Sequence, residues 1–381
     1  MAPPFILFRD DLAGRELLFE APRELIVADT PADFFAALER AEAARAAGRW
    51  LAGYFSYEAG FLFEPKLAAI MPEGRRVPLL TLGVFDAPAD RGSQQQAAQP
   101  TNGPIFEARA RWTFDDYRER FERLHRHIRL GDCYQGNLTF PIDAEWSGDP
   151  LADFDALTAR QPVRYGALAA LGGPVVLSRS PELFFQVDQE GWIETHPMKG
   201  TAPRGETAVE DERLKEFLRN DPKNQAENRM IVDLLRNDIS RITEVGTLDV
   251  PELFRIESYP TVHQMVSRVR ARLTPGTTIA DIFRALFPCG SITGAPKMRA
   301  MEILRELEDT PRDAYCGAIG WIAPGGPMRF SVAIRTITLF PEGKAVYNVG
   351  GGVVFDSTAE EEYAECLLKA RFATGSLPAS S

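Results

Sequence analysis

The sequence has few of the residues that build disulfide frameworks and metal centres. Its 381 residues include only four cysteines and four histidines. The cysteines, Cys133, Cys289, Cys316 and Cys366, are widely spaced and form no CxxC pair, which predicts reduced, buried thiols in a cytoplasmic protein. Since no HExxH motif is present, a metal site built from histidines is not expected.

Other absences exclude whole classes of protein. No stretch approaches the roughly 18 uninterrupted apolar residues of a transmembrane helix, and the first residues lack the basic-then-apolar pattern of a secretory signal. Forty-three basic and fifty-four acidic residues give a net charge of −11. Because phosphate binding needs clustered Lys and Arg, nucleic acid is not expected as the main partner. We therefore expect a globular protein with no membrane or nucleic-acid partner.

The order of the predicted elements indicates an α+β fold. Capping residues predict helices that begin near Pro31, Thr113, Pro296 and Ser357, and apolar spacing marks further helices through Met230–Leu235 and Ile279–Leu286. Strands are predicted at Trp50–Phe63, at Phe184–Val187 paired with Trp192–Thr195, and at Arg329–Phe340 paired with Ala345–Val349. Because strands and helices do not alternate regularly, α+β layers are favoured over a doubly wound sheet.

Composition also predicts how the chain is divided. Residues 1–86 are predicted to form an N-terminal α+β subdomain that packs on the core. Residues 87–104 (APADRGSQQQAAQPTNGP) are poor in apolar side chains and are predicted to be a surface loop or linker. Residues 105–381 then form the main domain.

Three carboxylates draw attention through their helical spacing. Glu227 stands four residues before Ile231, on the stripe predicted to face the core, where an unpaired carboxylate is costly. A functional role and a partly solvated helix-start carboxylate both stay open. Glu362, Glu365 and Lys369 share a face of the last helix, and spacing alone favours a solvated face with a Glu–Lys pair. If that face lined a cleft, its oxygen ligands would suit Mg²⁺.

Lys199 and two glycine-containing segments are weaker candidates. Lys199 follows the predicted hairpin; as a nucleophile it would need burial or neighbouring positive charge. Residues 288–297 (PCGSITGAPK) lead into a helix whose free N–H groups suit an anion, although an ordinary loop-to-helix turn explains the segment equally well. The triplet Gly350-Gly351-Gly352 permits close approach of a ligand to the backbone.

In this order, the motifs resemble the chorismate-utilising enzymes, the family of anthranilate synthase component I, isochorismate synthase and aminodeoxychorismate synthase component I. The resemblance runs from near Thr113 to near Phe372. It is carried by GDCYQGNLT (131–139), SRSPELF (178–184), HPMKGTAPRG (196–205), AENRMIVDLLRNDISRI (226–242), FPCGSITGAPKMRAMEIL (287–304), YCGAIGW (315–321), FSVAIRT (330–336) and GGGVVFDSTAEEEYAE (350–365). It implies a large layered β-sheet sandwich with helices on the outside.

The resemblance also implies roles for individual residues. Glu227 and Glu365 would bind Mg²⁺, with Glu362 as a further carboxylate of the metal site, and Glu182 would be the general acid beside the departing hydroxyl. This implication reverses the interpretation of the last helix, whose polar face should line the cleft. The substrate-binding residues would be Tyr315, Arg335, Gly350, Gly352, Lys369 and His263, the last of these beside the ring.

Lys199 is the position that distinguishes members of the family. Lysine in a Pro-Ile-Lys-Gly-Thr motif is typical of enzymes that aminate chorismate at C4, whereas anthranilate synthases have Ala there; this chain has Pro197-Met198-Lys199-Gly200-Thr201. The resemblance therefore implies 4-amino-4-deoxychorismate, a precursor of 4-aminobenzoate and folate, made through a covalent intermediate on Lys199. Ammonia would come from a separate glutamine amidotransferase subunit, and a separate aminodeoxychorismate lyase would act downstream. The alternatives are an enzyme that synthesises anthranilate and a chorismate-binding subunit with little activity of its own.

Overall fold

The computed structural model describes residues 3–90, 105–259 and 262–378. Its helices are α1 (Pro31–Ala46), α2 (Pro65–Ala68), α3 (Phe114–Leu130), α4 (Pro150–Arg160), α5 (Ala208–Asn220), α6 (Pro222–Ser240), α7 (Ile279–Leu286), α8 (Lys297–Leu307) and α9 (Ala359–Thr374). Short 3₁₀ helices cover Tyr57–Phe63 and Gly290–Ile292. Within these ranges no helix is both long and apolar enough to cross a membrane.

The strands of the first half are β1 (Phe5–Asp10), β2 (Arg15–Glu20), β3 (Glu24–Ala28), β4 (Trp50–Phe55), β5 (Leu80–Phe85), β6 (Ala89–Asp90), β7 (Ile105–Ala110), β8 (Gln135–Trp146), β9 (Tyr165–Ala170) and β10 (Val175–Ser180). The later strands are β11 (Leu183–Val187), β12 (Trp192–Thr195), β13 (Met198–Pro203), β14 (Asp249–Ser258), β15 (Val262–Arg272), β16 (Gly294–Ala295), β17 (Ala318–Ile322), β18 (Met328–Val332), β19 (Thr336–Leu339) and β20 (Lys344–Val353).

The strands form two large antiparallel sheets. The first sheet has the order β16-β8-β20-β19-β10-β9-β1-β2-β6, with β7 also paired to β8. The second has the order β13-β15-β12-β11-β18-β17-β4-β5-β3, with β14 also paired to β15. Helices α3, α8 and α9 pack against the first sheet or one another, while α1, α6 and α7 cover the second. The predicted α+β sandwich with helices outside is confirmed.

The first 90 residues are shared between both sheets. Strands β1, β2 and β6 extend the first sheet, and β3, β4 and β5 extend the second. Phe55 on β4 stacks on Phe283 of α7 at 3.8 Å between ring centroids and lies 6.0 Å from Phe330 of β18. The proposed boundary at residue 86 stays a prediction. Residues 91–104 of the predicted linker lie outside the described residues, and Ala89–Asp90 pair with β2.

Local capping signals place most helix starts correctly. The side chain of Thr113 accepts a hydrogen bond from the Asp116 N–H, and α3 follows as predicted. The last helix begins one residue later than predicted: Thr358, not Ser357, caps it and accepts from the Glu361 N–H. Ser357 instead donates its hydroxyl to Glu362 Oε1 at 2.7 Å, so it holds a carboxylate of the candidate site.

Two predicted strands are each divided. Trp50–Phe63 is a strand only as far as Phe55, after which Tyr57–Phe63 turns into a 3₁₀ helix. Arg329–Phe340 contains β18, which pairs within the second sheet, and β19, which pairs within the first. One extended strand cannot belong to both sheets, so the backbone must bend between them. Arg335 lies at this crossing, with a φ of +52°.

Candidate active site

Lys199 faces the glycine triplet of β20. A Cβ added to Gly352 would lie 3.3 Å from Lys199 Nζ and 2.9 Å from Gln135 Nε2, so the absence of a side chain at this position leaves room beside the amine. The backbone carbonyl of Lys199 accepts from Asn228 Nδ2 at 3.4 Å. Asn228 is fully buried on α6, and it also accepts from Ser267 at 2.6 Å. These contacts fix β13 where it carries the lysine.

Carboxylates surround the Lys199 amine. Its positive charge lowers the pKa of Glu182, of Glu362 and of Glu365, as one contribution among several in each case. No carboxylate of the described residues lies close enough to Nζ to form an ion pair. The amine therefore has carboxyl groups around it and remains available to a ligand.

Glu182 is a buried carboxyl beside this lysine. It is 6% exposed, and Ser291 donates its hydroxyl to Glu182 Oε1 at 2.6 Å. Burial raises the pKa of Glu182, while the Ser291 hydrogen bond and the Lys199 charge partly oppose that shift. A raised pKa favours the protonated form, which is the form that a general acid needs.

The polar face of α9 packs on the glycine triplet. Lys369 Nζ donates to the Gly350 carbonyl at 2.9 Å and pairs with Glu365 at 2.7 Å. A Cβ on Gly351 would lie 2.5 Å from Glu362 Oε2. Burial raises the pKa of Glu362, whereas Lys369, Lys199 and Arg335 outweigh partial burial and hold that of Glu365 below its usual value. The spacing-based interpretation is therefore confirmed for the Glu365–Lys369 pair, and the Glu365 side chain is 56% exposed. It is wrong in treating the face as solvated at Glu362 and Lys369, which pack on the glycine triplet.

The predicted metal ligands are only partly brought together. Glu362 and Glu365 are close enough to influence each other's ionisation. Within the described residues, however, no group of three or more His, Cys, Asp or Glu side chains is arranged to hold a metal ion. The buried stripe of α6 runs through Asn228, not Glu227, which is half-buried beside it. The predicted place of Glu227 on the core stripe is therefore wrong by one residue, and its metal role stays a prediction.

Arg335 and Tyr315 form a cationic corner where the chain crosses between the sheets. Among the described residues, no carboxylate forms an ion pair with Arg335. Burial lowers the pKa of Arg335, and the nearby Tyr315 and Glu365 oppose that shift. Tyr315 is 8% exposed, and its neighbour Cys316 has a φ of +62°. Left-handed backbone at non-glycine residues is costly and is often found at functional sites. A guanidinium beside a phenol can bind a carboxylate.

His263 lies beneath α5 and has no free ring nitrogen. It is fully buried; its Nε2 is 2.9 Å from Asp211 Oδ1, and its Nδ1 is 2.9 Å from Ser258 Oγ. Both nitrogens are thus used by the protein, and the predicted contact with a substrate ring stays a prediction.

Sequence reasoning missed three residues that shape the site. Gln135 is 1% exposed and lies beside Lys199 and Gly352, and its Nε2 has no hydrogen-bond partner among the described residues. Ser291 holds Glu182, and Asn228 holds the Lys199 backbone. Only Asn228 has a signal in the sequence: it is a polar residue in helical register with Ile231 and Leu235. Glu182, which Ser291 contacts, and Lys199 and Gly352, which lie beside Gln135, are distant from them in the chain.

Known proteins resemble most of this chain. Aminodeoxychorismate synthase component 1 of Klebsiella aerogenes is 46% identical over 257 residues, covering 68% of this chain and 56% of that protein. The protein of the same name from Salmonella typhimurium is 38% identical, covering 82% of this chain and 73% of its own length. The chain thus spans little more than half of the Klebsiella protein and about three-quarters of the Salmonella one.

Solved structures show the same architecture. Anthranilate synthase component I from Streptococcus pneumoniae superposes with a TM-score of 0.79 at 25% identity, covering 98% of this chain and 93% of that one. The menaquinone-specific isochorismate synthase of Escherichia coli gives a TM-score of 0.73 at 18% identity, covering 97% and 88%. The sequence model of chorismate binding enzymes matches residues 3–375, and the chain therefore belongs to the family of chorismate-binding enzymes.

Proposed function

We propose that this protein aminates chorismate to 4-amino-4-deoxychorismate. The observation that carries the proposal is Lys199, an amine facing Gly352 and surrounded by the carboxylates of Glu182, Glu362 and Glu365. Relatives named aminodeoxychorismate synthase component 1, at 38–46% identity, support the same assignment.

Chorismate is a dianion, and the site offers cationic groups to bind it. Arg335 and Tyr315 would hold the enolpyruvyl carboxylate, assisted by the backbone of Gly350 and Gly352. A guanidinium without a protein carboxylate partner suits this role because it can donate two parallel hydrogen bonds. The unpartnered amide of Gln135 would donate to the substrate or to ammonia, which would satisfy its buried Nε2.

The proposed reaction uses Lys199 and Glu182 in two stages. The Lys199 ammonium first gives a proton to a neighbouring carboxylate. Its neutral nitrogen then bonds to C2 of chorismate, the ring double bonds shift, and the C4–O bond breaks. Glu182 gives its proton to the departing oxygen, which leaves as water. Ammonia then bonds to C4, the double bonds shift back, and the C2–N bond breaks to return Lys199. A proton from the new C4 ammonium returns to Glu182 and restores the acid. The lysine thereby occupies the carbon where the incoming amine must not remain.

We also propose Mg²⁺ as the cofactor. Glu362 and Glu365 supply neighbouring carboxylate oxygens, which are the ligands that Mg²⁺ prefers. Glu227 is proposed as a third ligand by family resemblance. When bound, the ion would reduce the electrostatic repulsion between these glutamates and a substrate carboxylate. Isothermal titration calorimetry with Mg²⁺, carried out on the wild-type chain and on the Glu365→Gln variant, tests this assignment. An unchanged Mg²⁺ affinity in the variant would contradict it.

We propose that ammonia comes from a separate glutamine amidotransferase, because the relatives are named as component 1 of their synthases. The product would pass to a separate lyase that removes pyruvate to give 4-aminobenzoate, and the pathway would lie in the cytoplasm. A pull-down of the chain with a purified glutaminase subunit, followed by glutamine-dependent turnover, tests this partnership.

One experiment separates this function from anthranilate synthesis. The purified chain is incubated with chorismate, Mg²⁺ and excess ammonium, and the product is identified by mass and NMR. We expect an amino group at C4 with the enolpyruvyl group retained. Anthranilate, with its amino group at C2 and pyruvate released, would support the alternative, and no turnover would favour a chorismate-binding subunit.

A further inference from the structure

A buried ion pair between α8 and β17 joins separate segments of the candidate site. Arg312 is 2% exposed and Glu308 is 9% exposed. The guanidinium binds the carboxylate through two bonds, Nε to Oε2 at 2.8 Å and Nη2 to Oε1 at 2.7 Å. It also donates from Nη1 to the Ile292 carbonyl at 3.0 Å and from Nη2 to the Asn137 carbonyl at 2.7 Å. One planar group therefore fixes two backbone carbonyls that are distant in the sequence.

Each segment that Arg312 contacts carries a group of the site. Ile292 follows Ser291, whose hydroxyl holds Glu182. Asn137 lies on β8 two residues after Gln135, whose amide faces Gly352 and Lys199. Glu308 strengthens the second connection, since its Oε1 also accepts from the Thr139 N–H and hydroxyl, both at 3.0 Å.

We propose that Arg312, held by Glu308, is a positioning residue that sets where Ser291 and Gln135 stand relative to Lys199. This inference rests on the proposed function, because it assigns those groups to chorismate amination. The physical reason is geometric: a planar guanidinium fixed by a two-pronged carboxylate can hold two carbonyls in a defined relation. A displacement of about 1 Å in an active site can cost on the order of a hundredfold in rate.

The first test is Arg312→Lys. Lysine keeps the charge but lacks the planar fork, so it cannot hold Glu308 and both carbonyls together. We expect kcat to fall by at least about tenfold, with the KM for chorismate within about threefold of wild type. The KM should change little because the Tyr315 N–H bonds to the backbone carbonyl of Arg312, which the substitution leaves in place.

The matched control is Arg9→Lys. Arg9 on β1 is a partly buried arginine whose guanidinium pairs with Glu16 and Asp155, neither of which belongs to the candidate site. It should lose stability with near-normal kcat when both variants are assayed well below their melting temperatures. Equal losses of kcat in the two variants would overturn the inference, because they would indicate general destabilisation.

A double variant tests whether Arg312 acts through Ser291. If it does, Arg312→Lys combined with Ser291→Ala should lose little more kcat than the worse of the two single variants. Independent effects would instead multiply. Multiplied losses would overturn this route from Arg312 to Glu182.

Hydrogen exchange supplies a readout that needs no turnover. The Asn137 N–H bonds to the Thr293 carbonyl at 2.9 Å, and the Thr139 N–H bonds to Glu308. Arg312→Lys should speed exchange at residues 135–139 and 290–293, while Arg9→Lys should not. Unchanged exchange there would overturn the inference. A wild-type chain that fails to aminate chorismate would refute the proposed function alone, and the exchange result would still stand.

Discussion

At the scale of single residues, the candidate site depends on side chains whose chemistry is set by their neighbours. Lys199 has several carboxyl groups around it, but it forms an ion pair with none of those that the structure describes, and Glu182 is buried with one hydroxyl partner. A lysine or glutamate in isolation would be an unremarkable surface residue. The fold makes them a possible nucleophile and acid by placing both beside a glycine backbone.

Replacing Lys199 tests the covalent step. Lys199→Ala leaves Glu182, Arg335 and Tyr315 in place, so chorismate should still bind. Turnover with ammonium should slow, and some product should carry the new group at C2, because the nucleophile that occupied C2 is gone. The product mixture is analysed by NMR, and wild type is trapped with chorismate without ammonia for intact-protein mass. No wild-type adduct, together with an alanine variant that makes only the C4 product at a near-normal rate, would disprove a nucleophilic role.

The acid role of Glu182 predicts a definite pH dependence. A general acid works while protonated, so the rate should fall as pH rises through the Glu182 pKa, which burial raises above its usual value. The Ser291 hydrogen bond lowers that pKa, so Ser291→Ala should move the basic limb of the kcat profile to higher pH. Glu182→Gln should lower kcat by on the order of a hundredfold or more and remove this limb. A basic limb at the same pH in Glu182→Gln would assign it to another group.

Replacing Arg335 with lysine should have a large effect on catalytic efficiency although the positive charge is kept. Its guanidinium lacks an ion-pair partner among the described residues, and its backbone has a left-handed φ. Arg335→Lys should lower kcat/KM by at least about tenfold, because an ammonium cannot make two parallel bonds to a carboxylate. Arg111→Lys, at an exposed pair with Asp143, is the matched control. Wild-type efficiency in Arg335→Lys would place the substrate carboxylate elsewhere.

At the scale of elements, the site lies where β20 and α9 meet across three glycines. The triplet lets Lys369 reach the Gly350 carbonyl and lets Glu362 contact Gly351. Gly352→Ala should reduce chorismate turnover at least about tenfold while the chain remains folded, since the new Cβ would meet the amide of Gln135 and the amine of Lys199. Gly173→Ala is the control, because a Cβ there meets nothing within 4 Å. Equal activity of the two variants would show that the space beside Gly352 is not used.

The elements also show what the sequence could predict. Thr113 with Asp116 marks the start of α3 correctly, because a cap depends on residues three positions apart. The crossing of the chain between β18 and β19 was not predicted, since it depends on pairing with β11 and β10, far away in the sequence. The Ser291 contact to Glu182 is of the same kind. Motif order predicted which residues matter, whereas contacts between distant segments decide how they act.

At the scale of the whole molecule, the two sheets are joined by the N-terminal segment and by a shared apolar core. Segment 5–90 places strands in each sheet, and apolar side chains such as Ile6, Phe19 and Ile319 pack together across them. Removing this segment would take away one of the two partner strands of β9 and of β17, so both would become exposed sheet edges. Exposed strand edges promote aggregation, so a chain that begins at residue 105 should not yield a folded monomer.

Phe55 tests whether the first 90 residues unfold together with the rest. Its ring stacks on Phe283 and contacts Phe287 and Phe330, all from the later part of the chain. Phe55→Ala should lower the free energy of unfolding by about 3–5 kcal/mol, because it leaves a cavity between β4 and α7. Phe106→Ala, at a residue that is 43% exposed, should cost far less.

Urea denaturation followed by tryptophan fluorescence and by circular dichroism measures both variants. A single transition that shifts equally in both signals is expected if the sheets unfold as one unit. Phe55→Ala should then lower the stability of the later segments as much as that of β4, because the contacts that it removes are with α7 and β18. Two separate transitions, of which the substitution moves only one, would instead support an independent N-terminal subdomain ending near residue 86.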